Sequence, residues 1–209
     1  MPRFSSPATP LTLAVLVLLT ACATRPPAPA IAVPDRPARV VLDYRPHSQW
    51  NDARRAKVRD AARLMESVLN QPAFIEAINR RRDLQRTEGL AAADIVQLLR
   101  GGLTLPQARA GDTATRDIVL ALAISPAEGE FSRDPGFTDL DTLIIYLRRD
   151  WLDKQPLCAV AGLLAHERMH VMGFMHADFN HPWRRRSVPY AVGDLVAEHA
   201  QPGCVMKDG

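Results

Sequence analysis

The chain has 209 residues, 47% hydrophobic and 23% charged, with a formal net charge of +3 at neutral pH. That length and balance suit one domain with a real core and exclude a chain that is disordered throughout. The basic excess is local, in NRRRD (Asn79 to Asp83) and WRRRS (Trp183 to Ser187), without aromatic interleaving or a known binding motif, so no nucleic-acid partner is expected.

The first residues differ in kind from the rest. Arg3 precedes the apolar run LTLAVLVLL (Leu11 to Leu19), which is too short to span a bilayer, and the small residues TAC follow at Thr20 to Cys22. Residues 1–21 therefore read as a secretory signal peptide. LTAC resembles the lipobox of bacterial lipoproteins, which implies cleavage before Cys22, lipidation of its thiol and attachment to a membrane without a spanning helix. Ala23, where Asp is the alternative, implies by the same resemblance passage to the outer membrane, facing the periplasm. Residues 22–38 are dense in Pro and Ala and read as an extended tether, leaving 39–209 as the folded domain.

RVVLDY (Arg39 to Tyr44) starts β-branched and stops at Arg45-Pro46, which predicts a short strand. In the stretch from Asn51 to Asn70, Val58, Ala61, Ala62, Leu64, Met65, Val68 and Leu69 recur at helical spacing, predicting an amphipathic helix. Pro72 suits the first turn of a second helix, PAFIEAINRRRDL, with Phe74, Ile75 and Ile78 as its apolar stripe. A third, LAAADIVQLLR, stops at Gly101-Gly102. DIVLALAIS (Asp117 to Ser125) and TLIIYLR (Thr142 to Arg148) are short apolar runs that predict strands, and PAEGEFSRDPGFTD between them reads as a polar loop. LCAVAGLLAHERMHVMGF follows Gln155-Pro156 as a mostly buried helix. This order predicts an α+β domain in which the last long helix packs against a small mixed sheet. Cys158 and Cys204, an even pair once Cys22 is lipidated, form a disulfide if the chain is exported; two buried thiols are the alternative.

The chemistry is concentrated in HERMHVMGFMH, residues 166–176. His166 and His170 are four apart, so a helix presents both imidazoles on one face and to one ion. Glu167 is turned about 100° around the axis, beside such an ion, where a general base for water belongs. Gly173 can adopt a positive φ and end the helix, letting the chain return His176 as a third ligand.

This stretch fits HExxHxxGxxH and resembles the zinc-binding signature of the metzincin metallopeptidases. The resemblance implies a zincin-like fold, one catalytic Zn2+ held by His166, His170 and His176, and Glu167 as general base. It also implies that a sheet edge, which TLIIYLR could supply, binds a protein or peptide substrate in extended form. Metzincins carry a turn with a Met beneath the metal. The corresponding SVPYAVG (Ser187 to Gly193) has no Met, and Met206 in PGCVM is a substitute that a Cys204 disulfide would hold. Tyr190 is either a hydrogen-bond donor to the developing oxyanion or a packing residue.

Other HExxH peptidases take a Glu from a later helix, and AVGDLVAEHA (Ala191 to Ala200) offers Glu198, with Asp194 a turn earlier. Asp178 is a candidate partner for a ligand imidazole. His181 and His199 read as ordinary surface residues, and Trp183 to Arg186 as a solvated loop or a site for a substrate carboxylate. The expected activity is zinc-dependent hydrolysis of peptide bonds at the cell envelope, with cell-wall peptides among the candidate substrates. The alternative is a non-catalytic, metal-stabilised envelope lipoprotein serving as a binding or structural module.

Overall fold

The computed structural model of the chain describes residues 36–46, 49–125, 134–176 and 181–206. The signal peptide, Cys22, most of the tether and Asp178 lie outside the described residues.

The sheet has four strands: β1 (Val40–Tyr44), β2 (Ile118–Ser125), β3 (Gly136–Asp139) and β4 (Ile144–Arg148). Their spatial order is β1-β2-β4-β3, with β1, β2 and β4 parallel and β3 antiparallel to β4. Parallel neighbours need long crossovers. Between β1 and β2 the chain builds α1 (Asp52–Leu69), α2 (Pro72–Asn79), α3 (Ala92–Arg100) and α4 (Leu105–Arg109).

Two expectations about the sheet are corrected. GFTD, expected as the end of a polar loop, is the edge strand β3. TLIIYLR, expected at an edge, contributes β4 between β2 and β3 and so has no free side for an added strand. Four residues opening on Gly carry no alternation to read. It is pairing with β4, from Gly136 opposite Leu147 to Asp139 opposite Ile144, that makes them a strand.

Helix α1 follows its sequence closely. Asn51 caps it by accepting the Arg54 N–H at 2.8 Å, and Val58, Ala61, Ala62, Met65, Val68 and Leu69 form its buried stripe. Val40 N–H donates to Glu66 at 2.6 Å, tying β1 to the same helix. The second helix stops at Asn79, short of the RRRD that was expected to continue it. Arg81 instead turns to pair with Asp83 at 2.9 Å, and Gln85 N–H donates to the Arg186 carbonyl at 2.8 Å. The two basic runs are therefore neighbours.

Beyond the sheet lie α5 (Arg149–Lys154), which had no periodic signal, α6 (Leu157–Val171) and α7 (Val188–Ala200). Helix α6 packs on α1, α7 and β3. Phe74, Met65, Leu69 and Ile95 are fully buried in the core, each burial contributing roughly 1.5–3 kcal/mol before entropy is charged against it. The architecture is α+β: seven α-helices and a small mixed sheet among the described residues. None of these helices is long and apolar enough to cross a membrane.

Candidate metal centre

Every residue of α6 from Cys158 to His170 is buried. The first half of this helix, from Leu157 to Ala165, is apolar on all sides and must be enclosed, and α1, α7 and β3 pack around the helix. Its C-terminus is built by Gly173 at φ +100°. Gly173 N–H donates to the His170 carbonyl and Phe174 N–H to the Met169 carbonyl, both at 2.9 Å. This pair of bonds is the Schellman closure, which needs a left-handed residue. The chain then doubles back to bring His176 beside the helix it has just left.

His166, His170 and His176 each offer a ring nitrogen, and these atoms lie within 4.8 Å of one another. His166 Nε2 and His170 Nε2 are 3.2 Å apart. Two nitrogens bound to one tetrahedral ion at about 2.0–2.1 Å sit about 3.3 Å apart, so this separation already suits coordination. His170 Nδ1 lies 2.8 Å from the Phe174 carbonyl. Since a carbonyl only accepts, Nδ1 carries the proton and the Nε2 lone pair is left toward His166. His166 Nδ1 is buried without a hydrogen-bond partner among the described residues.

Burial keeps the His166 and His170 imidazoles neutral, the form that binds metal. It holds His166 well below its ordinary range, with smaller contributions from His170, His176, Arg184 and Arg185. It lowers His170 to about 4, helped by His176 and Arg184 and opposed by the bond to Phe174. The three-nitrogen donor set fits a divalent ion of intermediate softness, and three protein ligands is the number that leaves a place for water.

Glu167 is 3% exposed. Burial pushes its carboxyl up to about 7, against the opposing effect of Thr138 Oγ1, which donates to Glu167 Oε2 at 2.8 Å. Tyr190 stands edge-on to His166, ring centroids 4.6 Å apart, and 5.6 Å from the His176 ring. SVPYAVG, which stands where metzincins carry their Met-bearing turn, opens α7, the helix expected over Ala191 to Ala200, with Pro189 in the first turn and Tyr190 directly after it. Proline is tolerated in the first turn, where its missing N–H has no intrahelical partner to lose, so the segment can wind where a Met-bearing turn was sought.

Met206 takes up the space below. A β-carbon on Gly193 would lie 2.5 Å from Met206 Cε and 3.0 Å from His166 Cβ. One on Gly162 would lie 2.9 Å from Met206 Cγ and 2.7 Å from the Gly193 carbonyl. The two glycines thus let α6 and α7 approach closely, with Met206 packed against both of them near the Cβ of the first histidine. Cys158 and Cys204 are joined by a disulfide, Cα atoms 6.4 Å apart, fixing the segment that carries Met206 to the start of α6.

Glu198, the alternative third ligand, is exposed on α7 and accepts the Gly203 N–H at 3.0 Å; the histidine cluster includes His176 instead. Asp194 accepts from Arg185, His181 accepts the Trp183 N–H at 3.2 Å, and His199 meets the Phe74 ring edge-on.

Two residues near the cluster, Thr138 and Arg168, went unread in the sequence, and Arg184 was read only within Trp183 to Arg186 as a solvated loop or a carboxylate site. Thr138 sits on the strand mistaken for loop. Arg168, inside the motif, is 4% exposed and donates to the Gly102 carbonyl at 3.1 Å, its guanidinium lowered to about 10 by burial. Arg184 Nη1 lies 2.9 Å from His176 Nδ1; only its place in WRRRS hinted at a role. Compared with protein families, curated proteins and solved structures, the chain matches none.

Proposed function

We propose that this protein is a zinc-dependent hydrolase of peptide bonds, of metzincin type, anchored at the bacterial cell envelope through lipid on Cys22. One observation carries the reading: a buried glutamate follows directly on a histidine whose Nε2 faces that of His170 at 3.2 Å, with His176 completing the cluster. A purely structural metal site has no need of Glu167. Met206, packed at the two glycines near the Cβ of His166, supports the metzincin comparison, and the antiparallel edge strand β3 supports binding of an extended peptide. The lipid anchor and outer-membrane location rest on LTAC and Ala23 alone.

When bound, zinc supplies Lewis acidity toward water and toward a carbonyl oxygen. Glu167 accepts the proton of the attacking water and returns it to the leaving nitrogen. Thr138 fixes the carboxylate by donating to one of its oxygens, which leaves the other for the water. The Tyr190 phenol donates to the carbonyl oxygen as that atom gains charge. The outer backbone edge of β3 aligns the peptide.

The test is elemental analysis of natively purified protein, followed by digestion of a peptide library with wild type and Glu167→Gln. Close to one equivalent of zinc, with cleavage lost in the variant, is expected. A protein that binds zinc equally well in both forms and cleaves nothing in either is the metal-stabilised binding module instead.

A further inference from the structure

The three arginines of WRRRS leave their short 3-10 turn, Arg184–Arg186, in three directions. Arg186 stacks on Trp183, Cζ 4.2 Å from the ring centroid, and approaches Asp83 at 3.7 Å. Arg185 pairs with Asp194 at 3.3 Å. Arg184 reaches the histidine cluster: Nη1 is 2.9 Å from His176 Nδ1, Nη2 is 3.4 Å from His176 Nε2, and Nε donates to the Tyr190 hydroxyl at 3.3 Å. The turn holds it there, Arg184 N–H donating to the His181 carbonyl at 3.0 Å and Ser187 Oγ to the Arg184 carbonyl at 2.6 Å.

A permanent cation within hydrogen-bonding distance of a metal-ligating imidazole is electrostatically unfavourable for holding a divalent ion, because like charges at a few ångströms repel. A nitrogen of His176 also cannot serve the ion and accept from Arg184 at once. A guanidinium placed beside both the candidate ligand His176 and Tyr190 offers an anion on the substrate a second positive partner next to the ion. Building on the proposed peptidase activity, we infer that Arg184 is a specificity-determining residue that binds a carboxylate on the leaving-group residue of the substrate.

The dimensions agree. In a peptide cut one residue from its end, the terminal carboxylate carbon lies less than about 4 Å from the scissile carbonyl carbon. A carbonyl held at the histidine cluster and Tyr190 would thus bring that carboxylate to the neighbourhood of Arg184, which stands beside both His176 and Tyr190. The planar fork of arginine matches a carboxylate with two parallel hydrogen bonds. An Asp or Glu side chain on the same residue presents the same chemistry, so the source has to be separated by experiment.

The probes are four uncleaved peptides bound to zinc-loaded Glu167→Gln protein and to metal-free protein, followed by calorimetry: acetyl-tetraalanine as free acid and as amide, and amidated peptides ending in Asp and in Asn. A charge-assisted contact predicts that a carboxylate form binds roughly tenfold to a hundredfold more tightly than its neutral counterpart. The free-acid pair reports a terminal carboxylate and the Asp–Asn pair a side chain. Adding Arg184→Ala should bring each pair within about twofold, and Arg184→Lys, which keeps the charge without the fork, should fall between. Zinc content and circular dichroism confirm that each variant is folded and loaded. Peptide binding without preference for a carboxylate, or a preference that survives Arg184→Ala, overturns the inference and leaves the hydrolase reading standing. Failure to load zinc or to bind any of the peptides overturns both.

Discussion

Thr138 Oγ1, on the edge strand, donates a 2.8 Å hydrogen bond to Oε2 of Glu167, on the buried helix. The edge strand proposed to align an extended peptide is thus coupled to the carboxylate proposed to work on it. Thr138→Val removes the donor while nearly preserving shape. Because that bond opposes the upward push of burial, the acidic limb of the pH–rate profile should move to higher pH in the variant. An unmoved limb would falsify the coupling.

Replacing His166 or His170 by Ala should drain the metal, since each contributes one of two nitrogens already at coordinating separation. His176→Ala should weaken binding strongly, and Glu198→Ala should leave zinc content unchanged because Glu198 is committed to Gly203. Loss of one equivalent from the Glu198 variant would restore the alternative ligand scheme.

Glu167→Gln should retain the metal and reduce peptide hydrolysis by about two to four orders of magnitude, the usual contribution of a positioned general base. The same variant reports on stability in the metal-free protein. A carboxyl raised to about 7 in the fold and near its ordinary 4.5 when unfolded binds more protons in the native state. Its favourable contribution is complete below about 4.5 and is lost as pH rises through 7, up to about 3 kcal/mol in all. Urea titrations of metal-free wild type and Glu167→Gln between pH 4 and 8 should converge at the acidic end and separate above it, wild type becoming the weaker. Parallel curves contradict the assignment.

The disulfide closes a loop with a sequence separation of 46, for which chain-entropy arguments give about 4 kcal/mol at most. Cys158→Ser with Cys204→Ser should cost about 2–4 kcal/mol in denaturant and speed zinc release to a chelator. Stability and release rate both equal to those of wild type would show that the bridge constrains neither.

Gly193→Ala places a β-carbon against Met206 Cε, the Gly162 carbonyl and His166 Cβ. Overpacking of this kind costs typically about 1–3 kcal/mol, and part of it should be recovered by adding Met206→Ala, since the two side chains compete for one space. The recovery appears as non-additivity in a double-mutant cycle. Strict additivity would mean that Met206 does not fill the gap between the helices.

The part of this architecture that could be read directly is the part governed by local spacing. His166 and His170 share a helix face by periodicity, and Gly173 carries the positive φ that its position suggested. Helix α1 buries the stripe its sequence draws, except Leu64, which is only partly buried. What escaped depends on partners distant in sequence. GFTD becomes a strand only because β4 lies beside it, and the Thr138–Glu167 bond spans a separation of 29. Which strand is central and which is at the edge is fixed by tertiary packing rather than by any period within TLIIYLR. Ser187 to Gly193 was placed at the metzincin turn by analogy, whereas Pro189 is tolerated in a first helical turn and the segment winds as the start of α7.

The support beneath His166 also sets an order of events. Met206 comes from a segment that follows both helices, so a growing chain can form α6 and α7 and still have nothing under its first histidine. Only when that later segment folds back does the gap at Gly162 and Gly193 fill, and only an oxidising environment makes the return permanent. Until that segment returns, the space beside Gly162, Gly193 and the Cβ of His166 stays unfilled.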